Sequence, residues 1–304
     1  MTDRQIKNSS LIRMMIAGAL FSSALFSAAA WSQSSFASTY SGAGTSGGTC
    51  GSTYNISGVE PSTAGTHPVF AYMVGTNETY NNASAMAAVN SMASKGYVAA
   101  TIEYASGAFG SCAVISGKAS CAFNPNSAAS AVSQLCSRAK ADCSKGIVVA
   151  GFSQGSIMAI LAKNYDSRVQ AAYGMGANVQ YSTYDLRSCV ANGNRTLPSD
   201  RLRAVNGERD NFGGSTVSAV RGQLQELTGL NCGTSAYSCF NANNSGWIMA
   251  KNSQVADGSA DHCYMRATGG CFGSQSTLDT GWKAGTVNWE LESNLNWLNS
   301  FTSK

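Results

Sequence analysis

Apolar residues fall into two rhythms that alternate along the chain. At 68–74, 97–104 and 147–152 nearly every position is apolar, over lengths that suit strands buried on both faces of a sheet. Shorter strands are predicted at 169–173, 202–205 and 247–250. Between these runs the spacing changes to three and four. Met86, Val89 and Ala93 mark a helix over 83–95, with Gly96 just past its end. Ala128, Val132, Leu135, Cys136 and Ala139 mark another over 127–140. Ile157, Ile160 and Leu161 start a third, Val217, Val220, Leu224 and Leu227 a fourth, and Val287, Leu291, Leu295 and Leu298 a last one. Strands alternating with helices predict an α/β fold: a mainly parallel sheet with helices on both faces.

Three stretches lack either rhythm. Residues 38–66 are rich in Ser, Gly and Thr, and read as loosely ordered chain with an edge strand at 54–59. A loop is predicted to carry Cys112 and Cys121, and an irregular segment runs from 177 to 198. The chain thus divides into an export signal at 1–30, an N-terminal segment at 31–66 and a catalytic domain at 67–304.

Composition narrows the class. The chain has 304 residues, 44% of them hydrophobic, enough for one sizeable core. Only 12% are charged, and a net charge of +4 without a basic cluster excludes a nucleic-acid partner. Arg4, Lys7 and Arg13 precede an apolar stretch at 14–30 that ends in Ala28, Ala29 and Ala30, the pattern of an export signal. That stretch is short and broken by serines, so no stable membrane insertion is expected once it is removed. The protein is expected to be secreted or periplasmic, and a monomer.

Ten cysteines fit export and read as disulfides. Zinc is disfavoured, because there is no C-x-x-C pair and there are only two histidines. Proximity in sequence pairs 112 with 121, 136 with 143, 232 with 239 and 263 with 271, leaving Cys50 and Cys189. If Cys136 is helical, Cys143 must lie beyond the helix end, since seven helical residues span about 10 Å and a bridge needs Cα atoms within about 7 Å.

The candidate chemistry centres on Gly151-Phe152-Ser153-Gln154-Gly155, between the strand at 147–152 and the helix that follows. A serine on so tight a turn projects its hydroxyl above the sheet, and the helix N-terminus points at the place where an oxyanion would form. Gly44-Thr45-Ser46-Gly47-Gly48 has the same spelling but neither flanking element, and is set aside. Serine needs a base, and His262 lies in a loop after the last strand. His67 reads instead as a solvated strand-entry residue, at the end of the sheet away from ligands. The carboxylate that orients the imidazole is assigned to Asp210, after the Asn206-Gly207 turn; Asp185, Glu208 and Asp261 are its rivals.

With these residues the chain resembles the α/β-hydrolase superfamily from about residue 68 to the C-terminal helix. Gly-Phe-Ser-Gln-Gly is also similar to the nucleophile turn of cutinases, a likeness confined to those five residues. The resemblance implies a disulfide-stapled α/β-hydrolase-like fold and a catalytic Ser153, Asp210 and His262. It also implies an oxyanion hole made by backbone N–H groups of Gln154 and Thr76. The expected function is hydrolysis of carboxylic esters, small or polymeric, through an acyl-enzyme, with no cofactor and no metal. The same triad serves an acyltransferase or a peptidase, and a non-catalytic carbohydrate-binding module is the remaining alternative. Aromatic and Asn clusters at 237–247 could line a carbohydrate surface, although such residues more often pack loops and edges. The 177–198 segment is too short for a large lid, and an open cleft suits plant polyester or acylated polysaccharide.

Overall fold

The computed structural model describes residues 33–42, 50–268 and 270–303. The export signal at 1–30 and the second Gly-x-Ser-x-Gly at 44–48 lie outside them. The chain starts with β1 (Gln33–Gly42) and β2 (Ser52–Pro61), antiparallel along their full lengths. There follow β3 (Val69–Met73), α1 (Ala83–Ser94), β4 (Val98–Ile102), α2 (Cys112–Phe123), α3 (Ala131–Cys136), β5 (Ile147–Phe152), α4 (Gln154–Leu161) and β6 (Val169–Met175). A small hairpin comes next, β7 (Gln180–Tyr181) with β8 (Tyr184–Asp185), then α5 (Arg187–Val190), β9 (Leu202–Gly207) and α6 (Val217–Thr228). The chain closes with β10 (Ser238–Phe240), β11 (Gly246–Ala250), α7 (Thr280–Ala284) and α8 (Leu291–Asn299).

Nine strands form one sheet in the order β1-β2-β4-β3-β5-β6-β9-β11-β10. From β4 to β11 every pairing is parallel, while β1 and β2 at one side and β10 at the other are antiparallel. Every residue of β3, β4 and β5 is buried, so both faces of the sheet are covered. α1 packs with α8, and α2 with α3 and α4, which gives the two helical layers. Fully burying a Val, Ile or Phe contributes about 1.5–3 kcal/mol, and Val69, Phe70, Ile147 and Val148 are all 0% exposed. Caps set the helix ends: the Asn82 side chain accepts from Ala85 N at α1, and Gly229 ends α6 in the left-handed region. The result is the expected α/β fold, a mainly parallel sheet with helices on both faces, and no helix among the described residues is long and apolar enough to cross a membrane.

The structure corrects several sequence expectations. Residues 33–42 and 52–61 pair as regular antiparallel strands rather than loose chain; the edge strand is β1, and the 54–59 segment belongs to β2, one strand further in. Tyr40 is buried and donates through its hydroxyl to Glu103 O, while Phe36 lies under the Arg138 guanidinium. This two-residue period is hidden among serines. The 112–121 segment is helix, not loop. Its two cysteines then lie about 13 Å apart along the axis and cannot pair with each other. The bridges are Cys112–Cys189 and Cys50–Cys121 instead, so α2 is fastened at both ends. The short bridges Cys136–Cys143, Cys232–Cys239 and Cys263–Cys271 are as expected, with Cys143 beyond the end of α3. The 127–140 helix shrinks to α3 because Ser130 caps it by accepting from Ser133 N. His67 is buried rather than solvated, and bridges to Ala141 at the entrance to β3. In the 237–247 cluster Trp247 is 0% exposed and donates to Leu230 O, and Tyr237 stacks with Lys251, so these two are packing, whereas Phe240 is exposed.

Candidate functional site

Ser153 sits between β5 and α4 with φ 51° and ψ −120°, a conformation unfavourable for a residue with a side chain. The turn is held through backbone atoms: Ser153 N donates to Met175 O at 2.8 Å, and Ser156 N donates to Ser153 O at 3.0 Å. The flanking glycines are required by contact. A Cβ on Gly155 would fall 2.2 Å from Met73 O, and one on Gly151 2.3 Å from Gly155 O. Strand and helix therefore approach more closely than any side chain permits.

Asp210 and His262 arrive on loops after β9 and β11, tied to each other by Arg209 N donating to Ala260 O. Asp210 is fully buried, and its Oδ2 lies 2.8 Å from His262 Nδ1. Its Oδ1 accepts from Phe212 N and Gly213 N, and Asn178 Nδ2 donates to Oδ2 at 3.3 Å. Burial alone would raise the Asp210 pKa. The charge and hydrogen bond of His262, with the Asn178 and Gly213 donors, outweigh it and hold the carboxyl below its ordinary 3.8. The His262 ring is packed by Phe152 and Phe212 at 5.0 and 4.6 Å between centroids, with Tyr181 edge-on. Its Nε2 is buried and has no hydrogen-bond partner among the described residues.

Ser153, His262 and Thr76 line one cavity of about 430 Å³. Phe109, Tyr181, Tyr184 and Phe212 give it aromatic walls. Thr76 follows β3 through Gly75, whose N–H donates to Glu78 Oε2; Glu78 is in turn paired with Arg266. The structure therefore gathers Ser153, Gln154, Thr76, Asp210 and His262 at one end of the parallel strands. None of the rival carboxylates takes the place of Asp210 at His262 Nδ1. Asp185 is exposed and pairs with Arg187, Glu208 accepts from Asn252 N, and Asp261 accepts from Cys263 N. Among the described residues no group of three or more His, Cys, Asp or Glu is placed to hold a metal.

Three polar residues support the site without any local signal in the sequence. Asn206 Nδ2 donates to Asn178 Oδ1, which orients the Asn178 amide toward Asp210. Lys118, on α2, is wholly buried, and donates to Ala105 O, Ala108 O and Gln154 Oε1 at 2.7–2.8 Å. Burial pushes its ammonium from 10.5 down to about 8. The unfolded chain thus holds this proton more tightly, and the charge destabilises the fold fully below about pH 8 and less as pH rises. Lys118→Met lacks this slope. Between about pH 7 and 9.5 the wild type should gain about 2 kcal/mol relative to that variant in urea unfolding. An unchanged gap would mean that the lysine titrates normally.

The Cys263–Cys271 bridge closes the loop that starts at His262. If His262 serves as the expected base, the Cys263→Ala, Cys271→Ala variant should lose about tenfold in ester turnover at 25 °C while still folded, because the imidazole wanders from its place beside Asp210. Turnover that falls only in step with the melting curve would leave the bridge a purely structural role.

No family model matches the chain, and no curated protein does. Solved structures align with it at low identity. XC6422 from Xanthomonas campestris, described as an α/β serine hydrolase without lid, is 13% identical over 71% of this chain and 83% of that one, with a TM-score of 0.45. The esterase Est22 is 18% identical over 49% and 45%, with a TM-score of 0.35. The hypothetical protein PA2218 from Pseudomonas aeruginosa is 17% identical over 53% and 46%, with a TM-score of 0.36, so the chain spans under half the length of these last two.

Proposed function

We propose that the protein is a secreted or periplasmic serine hydrolase that cleaves carboxylic esters through an acyl-enzyme. The carrying observation is the buried Asp210–His262 contact of 2.8 Å, with the far imidazole nitrogen unpartnered in the cavity that Ser153 shares. In this reading Ser153 Oγ adds to the ester carbonyl as its proton passes to His262 Nε2. Asp210 keeps the proton on Nδ1 and stabilises the imidazolium. Backbone N–H groups of Gln154 and Thr76 hold the oxyanion, and the leaving alcohol takes the proton from Nε2. Water, activated by the same nitrogen, then releases the acid.

Export is supported by the five bridges that join all ten cysteines, bonds that persist in oxidising compartments. The cavity is walled by a two-stranded hairpin rather than a helical lid, which favours esters presented on a polymer or polysaccharide. A fluorophosphonate should label Ser153 stoichiometrically and stop hydrolysis of 4-nitrophenyl acetate in proportion. Label on another residue, or none with full turnover, would refute the reading.

A further inference from the structure

Lys118 is an unusual group to find at this depth. It is 0% exposed, no carboxylate among the described residues pairs with it, and its three acceptors are neutral. A buried charge without a counter-ion is unfavourable to keep, and replacement by an apolar side chain is often neutral or stabilising. The neighbouring Glu78 is matched by Arg266, so that pair adds no net charge.

Its contacts determine the chemistry of the next two groups. An ammonium only donates, so the Gln154 atom 2.8 Å from Lys118 Nζ must be the carbonyl oxygen. The amide nitrogen then faces the other way, and donates to Thr76 Oγ1 at 2.9 Å and to Ser106 O at 3.4 Å. Thr76 Oγ1 is thus an acceptor toward the protein, which leaves its single proton for whatever enters the cavity that Thr76 lines. Without the lysine the amide could turn over, and the hydroxyl would spend its proton on the Gln154 oxygen.

Accordingly, we infer that Lys118 is a positioning residue for the oxyanion hole: through the Gln154 amide it aims the Thr76 hydroxyl at the oxyanion, as a third donor beside the two backbone N–H groups. This rests on the reading of Ser153 as nucleophile. The positive end of the relay also polarises each bond in the direction that a growing negative charge favours. The ester in the ground state, with a weaker dipole at that oxygen, gains less, so the contribution should fall on kcat rather than KM.

The test uses the whole protein and 4-nitrophenyl acetate. Lys118→Met and Thr76→Val should each lower kcat by about 10- to 100-fold with KM within about threefold, somewhat less than loss of a direct backbone-type donor. Thr76→Ser, which keeps the hydroxyl, should recover most of the kcat that Thr76→Val loses. The Lys118→Met, Thr76→Val double variant should be no slower than the slower single variant, because both break one relay. A boronic acid that forms a tetrahedral adduct on Ser153 should weaken in the same proportion as kcat. Full kcat in a folded Lys118→Met protein, or multiplied losses in the double variant, would overturn the inference. If Lys118→Met does not fold, equal rates for Thr76→Val and Thr76→Ser would overturn it. Absence of any turnover or labelling in the wild type would instead bring down the nucleophile reading, and this inference with it.

Discussion

Ser153→Ala is expected to abolish ester hydrolysis, with a fall in kcat of about 10⁴- to 10⁶-fold and no fluorophosphonate labelling. The size follows from the mechanism: without the hydroxyl no acyl-enzyme forms, and what remains is water attack aided by the oxyanion donors. The fold should survive. The turn is fastened by backbone hydrogen bonds from Ser153 N to Met175 O and from Ser156 N to Ser153 O, none of which uses the side chain removed. Alanine must adopt the same φ of 51°, a modest strain that the surrounding packing already imposes on serine. The two measurements are initial rates and a thermal melt on the same sample. A folded variant that keeps more than about a hundredth of wild-type turnover would place the nucleophile elsewhere.

Asp210→Asn should produce the second-largest loss, about 10⁴-fold in kcat, although it changes only one atom type. Asn can keep an oxygen toward Phe212 N and Gly213 N, so the loop geometry is retained. Its amide nitrogen then faces His262 Nδ1 and donates to it. The ring proton moves to Nε2, which can no longer accept from Ser153. The exposed Asp185, changed to Asn, should leave turnover within about threefold, because it pairs with Arg187 instead. Asp210 should also matter to acid stability. Its folded pKa lies below the unfolded 3.8, so its stabilisation is complete above about pH 4 and is lost as pH falls through the folded value. Asp210→Asn should flatten that limb of the acid-unfolding curve. Near-normal turnover in Asp210→Asn would hand the orienting role to another acid.

What the sequence made legible depended on whether the signal was local. Continuous apolar runs marked β3, β4 and β5, since strands covered on both faces have no polar alternation to confuse them. The Gly151 and Gly155 positions carried the turn because backbone contact, not composition, demands them. Asp210 was reachable through chain order after a short apolar strand, although Asn206 and Gly207 belong to β9 and the turn falls at 208–209. By contrast, β1 was concealed: Phe36 and Tyr40 are the inward residues of a strand whose other positions are mostly Ser, Thr and Gly. Helix α2 read as loop because Ser116, Gly117 and Ser120 interrupt its apolar pattern, and its cysteines were then paired wrongly. Asn178, Asn206 and Lys118 were invisible for a deeper reason. Each acts on a partner 28 to 36 residues away, brought close only when the strands align.

On the proposed reading the β7–β8 hairpin separates preference from chemistry. It is a sheet of its own, two residues per strand, apart from the nine-stranded sheet that carries Ser153. Tyr181 anchors its inner end, donating to Gly176 O and accepting from Asn178 N. The outer tip, Ser182, Thr183 and the 39% exposed Tyr184, borders the cavity. On the reading proposed above, that tip can be rewritten, lengthened or exchanged to admit different guests while the Asp210–His262 contact stays as it is.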